Sequence, residues 1–115
     1  MTVTALPCCA DNVLVLRVVG EIDLCTVERL REYLDSHLSG GAYRGMVLDC
    51  AKVSFLAACG ISLLVEIVDR ARHAQVQIRL VTRSRAVLRA LEVTSVNELV
   101  PRADTVDEAV AQCAV

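Results

Sequence analysis

Apolar residues along the chain follow two patterns, short runs rich in β-branched residues and longer stretches with the spacing of amphipathic helices. The run from Val13 to Val19 is apolar on both faces of a strand, which predicts a central strand of a sheet. The run from Val3 to Leu6 is close enough to pair with it as a hairpin across a turn at 8–12, and Pro7 ends that strand or marks a sheet edge. Further strands are predicted at residues 46–49, 76–81 and 98–100.

Helical patterns separate these strands. The first helix is predicted from about Thr26 to Ser39, before a Gly40-Gly41 pair of the kind that ends helices. The longest helix is opened by Gly60, and its apolar stripe should pack on the sheet. Shorter helices are predicted at residues 84–92 and from a capping box at residue 105 onward.

Strands that alternate with helices predict an α/β fold with parallel crossovers. We expect an N-terminal β-hairpin that feeds a mixed, mostly parallel sheet of 4–5 strands, covered by about four helices. At 115 residues the chain is long enough for one core, so residues 1–115 are expected to form a single domain.

The segment from Met46 to Gln75 organises the rest of the prediction. A strand ending at Asp49, a nine-residue connection and a helix opened by Gly60 would place a helix N-terminus at the carboxyl edge of the sheet, where α/β proteins tend to bind ligands. Extending the helix back by one turn puts Ala58 and Cys59 on its polar arc. Small side chains there indicate either a tolerated helix start or a surface kept flat for docking.

Composition and charge argue against several function classes. A formal net charge of −2 and only three aromatic residues give no case for nucleic-acid binding. Neither a membrane-spanning stretch nor a signal peptide is evident, so a cytoplasmic location is expected. The six cysteines include no CxxC pair, which disfavours a zinc site and favours reduced thiols that act as small apolar residues. The sequence contains no catalytic Ser/His/Asp or Cys/His pattern and no GxxxxGK phosphate loop, so neither an enzyme nor a bound cofactor is expected.

Three segments carry a resemblance to a known family. They are GEID at 20–23, VLDCAKVSF at 47–55 and LAACGI at 56–61. Their order and spacing are similar to those of STAS domains, in particular the bacterial anti-sigma factor antagonists, over nearly the whole chain. The resemblance implies a binding module, a monomer or weak homodimer, that docks on an anti-sigma factor of the kinase-like ATPase fold. Docking would release the sigma factor without any chemistry by this chain.

The helix start departs from the pattern of that family, which reads Asp-Ser-Ser-Gly or Asp-Ser-Thr-Gly with the first Ser phosphorylated by the partner kinase. Here the corresponding residues are Ala57, Ala58, Cys59 and Gly60. Since Ala58 has no hydroxyl, the resemblance implies an antagonist that is always able to dock or is switched by something else. The implied partner-binding residues are Glu21, Asp23, Leu56, Ala57, Ala58, Cys59, Gly60, Ser62 and Glu66.

Alternative roles stay open for several residues near this helix start. Asp23 either contacts the partner or caps the following helix. Cys59, a thiol in the first turn of this helix, is either a small replacement for Ser or Thr or a redox switch with Cys50 as a neighbouring thiol. Ser54 and Ser62 are other candidate phosphate acceptors near the same face. The alternative functions are a redox-responsive regulator and a transporter-associated or nucleotide-binding STAS module.

Overall fold

The computed structural model describes residues 1–8, 12–39, 41 and 43–113 of the chain. Within these residues the alternation of strands and helices agrees with the prediction. The strands are β1 (Thr2–Cys8), β2 (Val13–Ile22), β3 (Gly45–Leu56), β4 (Gln77–Val81) and β5 (Arg102–Ala103). The α-helices are α1 (Val27–Leu38), α2 (Ala58–His73), α3 (Arg85–Val93) and α4 (Val106–Cys113), and a 3-10 turn at Val96–Glu98 precedes β5.

The five strands form one mixed sheet in the order β1-β2-β3-β4-β5. β1 and β2 pair antiparallel, and every later neighbour pairs parallel, which confirms the predicted hairpin and the mostly parallel sheet. β2 lies between β1 and β3, as its apolar pattern predicted. Pro7 lies within β1, an edge strand, which is the kind of strand that tolerates proline.

Two apolar clusters pack against the sheet. The larger one joins the sheet to α1, α2 and α3 and includes the buried residues of α1, which are Val27, Leu30, Leu34 and Leu38. The smaller one packs α4 against residues of β2, β3, β4 and β5. Successive side chains of β2 alternate between the clusters, with Leu14 and Leu16 in the larger and Val13 and Val15 in the smaller, so the clusters lie on opposite faces. Cys113 belongs to the smaller cluster and is buried, in agreement with the expectation that the cysteines act as small apolar residues.

Side-chain caps mark two of the predicted helix starts. The hydroxyl of Ser84 accepts a hydrogen bond from the backbone N–H of Val87 at 3.4 Å, at the start of α3. The hydroxyl of Thr105 accepts one from the N–H of Glu108 at 3.1 Å, as the capping-box spacing predicted for α4. At the end of α1, Ser39 is the C-cap and Gly41 has a positive φ of 64°, while Gly40 lies outside the described residues.

The predicted nine-residue connection after Asp49 is wrong. β3 continues through Leu56, and a single residue, Ala57, joins it to α2. β2 is also longer than the predicted run from Val13 to Val19, because Gly20–Ile22 remain in the strand.

The register of β2 on β3 explains why this half of the sheet was not recognised. The pairing shifts twice, between Arg17 and Val19 and again between Gly20 and Glu21. Each shift breaks the two-residue alternation that identifies a strand. β3 also exposes four of its last six residues, namely Ala51, Lys52, Ser54 and Phe55.

Two smaller predictions need a correction or lie outside the described residues. The strand predicted at 98–100 is wrong, because the 3-10 turn occupies that region and β5 follows Pro101. The carbonyl oxygen of Pro101 accepts a hydrogen bond from the N–H of Leu80 at 2.8 Å, which starts the pairing of β5 with β4. Of the turn predicted at 8–12, residues 9–11 are not among those described.

Candidate functional site

The carboxyl ends of β2 and β3 meet directly beside the start of α2. Ile22 and Leu56, the last residues of the two strands, are paired. The N–H of Ala57 then donates to the carbonyl oxygen of Ile22 at 2.9 Å, and Ala58 is the first helical residue. The short connection therefore brings the predicted site residues of β2, β3 and α2 to one edge of the sheet.

Leu56 and Gly60 lie beneath this edge and not on its surface. Leu56 is 7% exposed and belongs to the larger core cluster. Gly60 is buried in the first turn of α2, with the side chains of Leu56 and Ile22 against it. Of the predicted partner-binding residues, these two can only support the surface from below.

The exposed face of α2 carries Ala58, Ser62 and Glu66, which repeat at the four-residue interval of one helix face. Ala57 and Cys59 are half-buried, and Cys59 packs against the larger cluster. Ala58 thus lies on the exposed face, as the helical period predicted, whereas the same prediction for Cys59 is wrong in part, because its side chain packs against the core.

The N-terminus of α2 has neither a side-chain cap nor an acidic residue in its first turn. Ala57 occupies the N-cap position in an extended conformation, with φ −77° and ψ 167°. Its carbonyl oxygen accepts from the N–H groups of Gly60 and Ile61 at 2.9 and 3.1 Å. The N–H groups ahead of these are left without a capping side chain, so the positive end of the helix dipole faces outward beside Ala58.

Asp23 orders the segment that leads into α1. One carboxylate oxygen accepts from the N–H of Cys25 at 2.9 Å and lies 3.2 Å from the hydroxyl of Thr26. The backbone N–H of Asp23 donates to that same hydroxyl at 3.0 Å, and the hydroxyl lies 2.9 Å from the carbonyl oxygen of Glu21. These contacts support the role of orienting the next helix, while Glu21 itself is exposed.

Sequence reasoning missed two large apolar side chains at this edge. Leu24, in the β2–α1 segment, is 83% exposed, and Phe55, paired with Glu21, is 49% exposed. An isolated leucine between Asp23 and Cys25 in an otherwise polar connection was the available signal. Exposed apolar groups gathered at one edge are typical of a protein-interaction surface.

Glu66 is engaged with α1. Its carboxylate forms an ion pair with Arg31, and a second pair joins Asp35 of α1 to Arg70 of α2. Because the Glu66 side chain keeps 44% of its surface exposed, it remains accessible at the rim of this edge.

The thiols near the site differ in chemistry. Cys25, Cys50 and Cys59 are all free, so Cys50 and Cys59 are not bridged. Burial, together with the charge of Asp49, raises the pKa of the Cys50 thiol to about 12, which keeps it protonated and unreactive. Cys50 is therefore a poor redox partner, and a role for Cys59 stays a prediction.

Metal binding and membrane insertion are two further properties on which the described residues bear. Among the residues described, no group of three or more His, Cys, Asp or Glu side chains is arranged to hold a metal ion. Within the same ranges, no helix has both the length and the apolar character needed to cross a membrane.

Comparison with known proteins identifies the fold. The STAS domain family model matches residues 9–109. The chain belongs to the STAS domain family. This membership confirms the resemblance carried by the GEID segment and the helix start.

Relatives of this STAS domain include the anti-sigma-F factor antagonist RsfA of Mycobacterium tuberculosis (strain CDC 1551 / Oshkosh). It is 24% identical over 102 residues, which are 88% of this chain and 80% of that protein. A crystal structure of an anti-sigma factor antagonist from Mycobacterium paratuberculosis is similar with a TM-score of 0.86 at 24% identity, covering 99% of this chain and 96% of that one. An anti-sigma-factor antagonist (STAS) domain protein from Planctomyces limnophilus gives a TM-score of 0.81 at 23% identity, covering 96% of both chains. Both solved structures therefore share the fold of the present chain over nearly its whole length.

Proposed function

We propose that this STAS domain is an anti-sigma factor antagonist: it binds an anti-sigma factor of the kinase-like ATPase fold and thereby frees a sigma factor. The names of the relatives support this function, and so does the composition of one surface, which we call the docking surface. It consists of the exposed or half-exposed side chains of Glu21, Asp23, Leu24, Phe55, Ala57, Ala58, Cys59, Ser62 and Glu66.

The observation that carries the proposal is the exposure of Ala58 at the first position of α2. This is where the family pattern has the serine that the partner kinase phosphorylates. A phosphate would add about −1.5 to −2 charges there. The positive end of the helix dipole would stabilise that charge within this domain. The phosphate would instead weaken the binding of a partner, which would have to remove its hydration shell. With a methyl group instead, the docking surface stays uncharged at this point.

The rest of the docking surface fits a role in binding rather than catalysis. Leu24 and Phe55 offer apolar contact area at the same edge of the sheet as the helix start, and Leu56 and Gly60 fix that start to the sheet from beneath. Apolar anchors over a rigid support are typical of the centre of a protein interface. We expect the chain to act without catalysis, in the cytoplasm, and to be competent to dock without dephosphorylation.

Binding measurements test this function. Each anti-sigma factor of the kinase-like ATPase fold from the organism that encodes this chain is purified and titrated with the wild-type protein, with and without ATP. We expect one of them to bind, with unchanged affinity after incubation with ATP. The variant Ala58→Asp should bind at least about tenfold more weakly, because it places an unpaired carboxylate in the interface.

The matched control is Ala111→Asp, the same change at an exposed alanine of α4 on the opposite side of the sheet. It should bind like the wild type. The function is contradicted if no anti-sigma factor binds, or if Ala58→Asp and Ala111→Asp bind equally well. Stoichiometric phosphate on the wild-type chain after incubation with ATP would refute its permanent competence to dock.

A further inference from the structure

A shallow apolar groove opens next to Ala58, between the first turn of α2 and the outer face of α3. It has a volume of about 380 Å³. Its main lining residues are Ala58 and Ile61 of α2 and Ala86, Arg89, Ala90 and Val93 of α3. Ala58 belongs to both the groove and the docking surface, so the two surfaces are continuous.

The groove exposes apolar surface that the domain itself does not cover. Val93, at the end of α3, is 76% exposed. Ala86 and Ala90 are one helical turn apart on α3, and their small side chains keep the groove open. Apolar surface left open in this way, at the border of a docking surface, favours contact with a partner.

Arg89 adds a charge to this apolar groove. Among the residues that the structure describes, no carboxylate lies within 4 Å of its guanidinium, although Glu92 follows three residues later on α3. Arg31 and Arg70, by contrast, each pair with a carboxylate of a neighbouring helix. The groove therefore combines apolar walls with the cation of Arg89, which forms no ion pair within the described part of the chain.

We propose that this groove binds a segment of the anti-sigma factor in which an apolar side chain stands beside an Asp or Glu. The apolar side chain fills the space over Ala86 and Ala90 and covers Val93. The carboxylate pairs with Arg89, which can accept it in a two-pronged geometry. This inference rests on the proposed function, and it assigns to α3 the recognition of one particular partner chemistry.

Charge reversal and loss of apolar surface test the two halves of the inference. The probe is the anti-sigma factor that binds the wild-type protein in the titration above. Arg89→Glu should weaken its binding at least about tenfold, because the partner's carboxylate then meets a like charge. Val93→Ser should weaken it about fivefold through the loss of buried apolar contact.

Matched control variants lie far from the groove. Arg72→Glu makes the same charge change on α2. Arg72 lies fourteen residues after Ala58, which is about 21 Å along the helix axis. Leu6→Ser removes a partly exposed apolar side chain from the edge strand β1. Both should bind within about twofold of the wild type, which is the range expected for changes outside an interface. Thermal unfolding of all four variants checks that each one is folded.

Photo-crosslinking identifies the partner segment directly. A photoreactive amino acid at position 93 is irradiated in the complex, and mass spectrometry locates the linked residue of the anti-sigma factor. We expect an apolar residue with an Asp or Glu within one helical turn of it. Changing that acidic residue to Lys should restore the binding of Arg89→Glu, and a basic segment at the link would overturn the inference.

The outcomes separate this inference from the function on which it rests. If the wild type binds and Ala58→Asp weakens binding while Arg89→Glu and Val93→Ser do not, the groove is not part of the interface. The antagonist function then still stands. If no anti-sigma factor binds the wild type, both are overturned.

Discussion

Gly60 and Leu56 pack so closely that a Cβ atom at position 60 would lie 2.6 Å from Cδ1 of Leu56. The same Cβ would lie 2.7 Å from Cγ2 of Ile22. Leu56 and Ile22 are the last residues of β3 and β2, so this contact sets how closely the first turn of α2 approaches the edge of the sheet. The position of Ala58, and with it the shape of the docking surface, depends on a glycine at this point.

Replacing Gly60 with Ala should lower the free energy of unfolding by about 1 kcal/mol. Alanine favours a helix by about 1 kcal/mol over glycine. Overpacking costs about 1–3 kcal/mol, and the branched side chain of Ile22 has little freedom to move away. Urea denaturation of Gly60→Ala, Leu56→Val and the double variant measures the coupling. We expect Leu56→Val to relieve part of the loss, whereas a stabilised Gly60→Ala variant would show that the first turn has room to shift.

Ala57→Ser should stabilise the domain by about 1 kcal/mol, because its hydroxyl would accept from an uncapped N–H of α2. The backbone at position 57 is already extended, as an N-cap requires. The reciprocal control is Ser84→Ala, which removes the cap seen at the start of α3 and should destabilise the domain. Urea denaturation measures whether the free energy of unfolding rises for Ala57→Ser and falls for Ser84→Ala. An unchanged stability for Ala57→Ser would mean that solvent already satisfies those N–H groups.

Ala58→Asp should change stability and binding in opposite directions. A carboxylate in the first turn of α2 meets the positive end of the helix dipole, which should raise the free energy of unfolding by about 0.3–1 kcal/mol. The same carboxylate should weaken the anti-sigma factor complex. Urea denaturation and the titrations described above measure the two effects. A variant that bound weakly because it was partly unfolded would instead show a lowered stability, so the two readouts distinguish a local from a global effect.

Elements with a regular period were predictable from the sequence. The apolar stripe of α1 and the exposed placement of Ala58 follow from helical spacing, which the fold preserves. Alternating strands and helices likewise sufficed to predict a mixed, mostly parallel sheet, because a helix between two strands implies a parallel crossover. The cap at Thr105 was predictable because a capping box depends on neighbouring residues only.

Features set by pairing between distant segments were not predictable. The second half of β3 lacks a two-residue period because its register on β2 shifts twice. The sequence pattern therefore predicted a loop where the strand continues. Phe55 faces solvent because of that register, and no local pattern distinguishes it from a buried phenylalanine. The exposure of Leu24 and the groove beside Val93 likewise depend on which faces of the fold remain uncovered.

Ionisation of Cys50 should make the domain less stable in alkali. Burial, with the charge of Asp49, raises the pKa of this thiol from 9.0 to about 12. As the pH rises above 9.0, the unfolded chain loses this proton before the folded chain does. The contribution of the protonated thiol to stability is therefore complete below pH 9 and is lost between pH 9 and about 12. The loss should reach at most about 1.4 kcal/mol per pH unit.

The variant Cys50→Ala isolates this contribution from other groups that ionise in alkali. At neutral pH it should be less stable than the wild type, because it leaves a small cavity in the core. Above pH 9 its free energy of unfolding should fall less steeply, so that the two curves converge, since only the wild type still has to keep a proton on the buried thiol. Cys113, whose pKa burial also raises, remains in both proteins and cancels in the comparison. Urea denaturation from neutral pH into this alkaline range measures both curves, and curves that stay parallel would mean that the folded chain opens enough to ionise Cys50 at the ordinary pKa of a thiol.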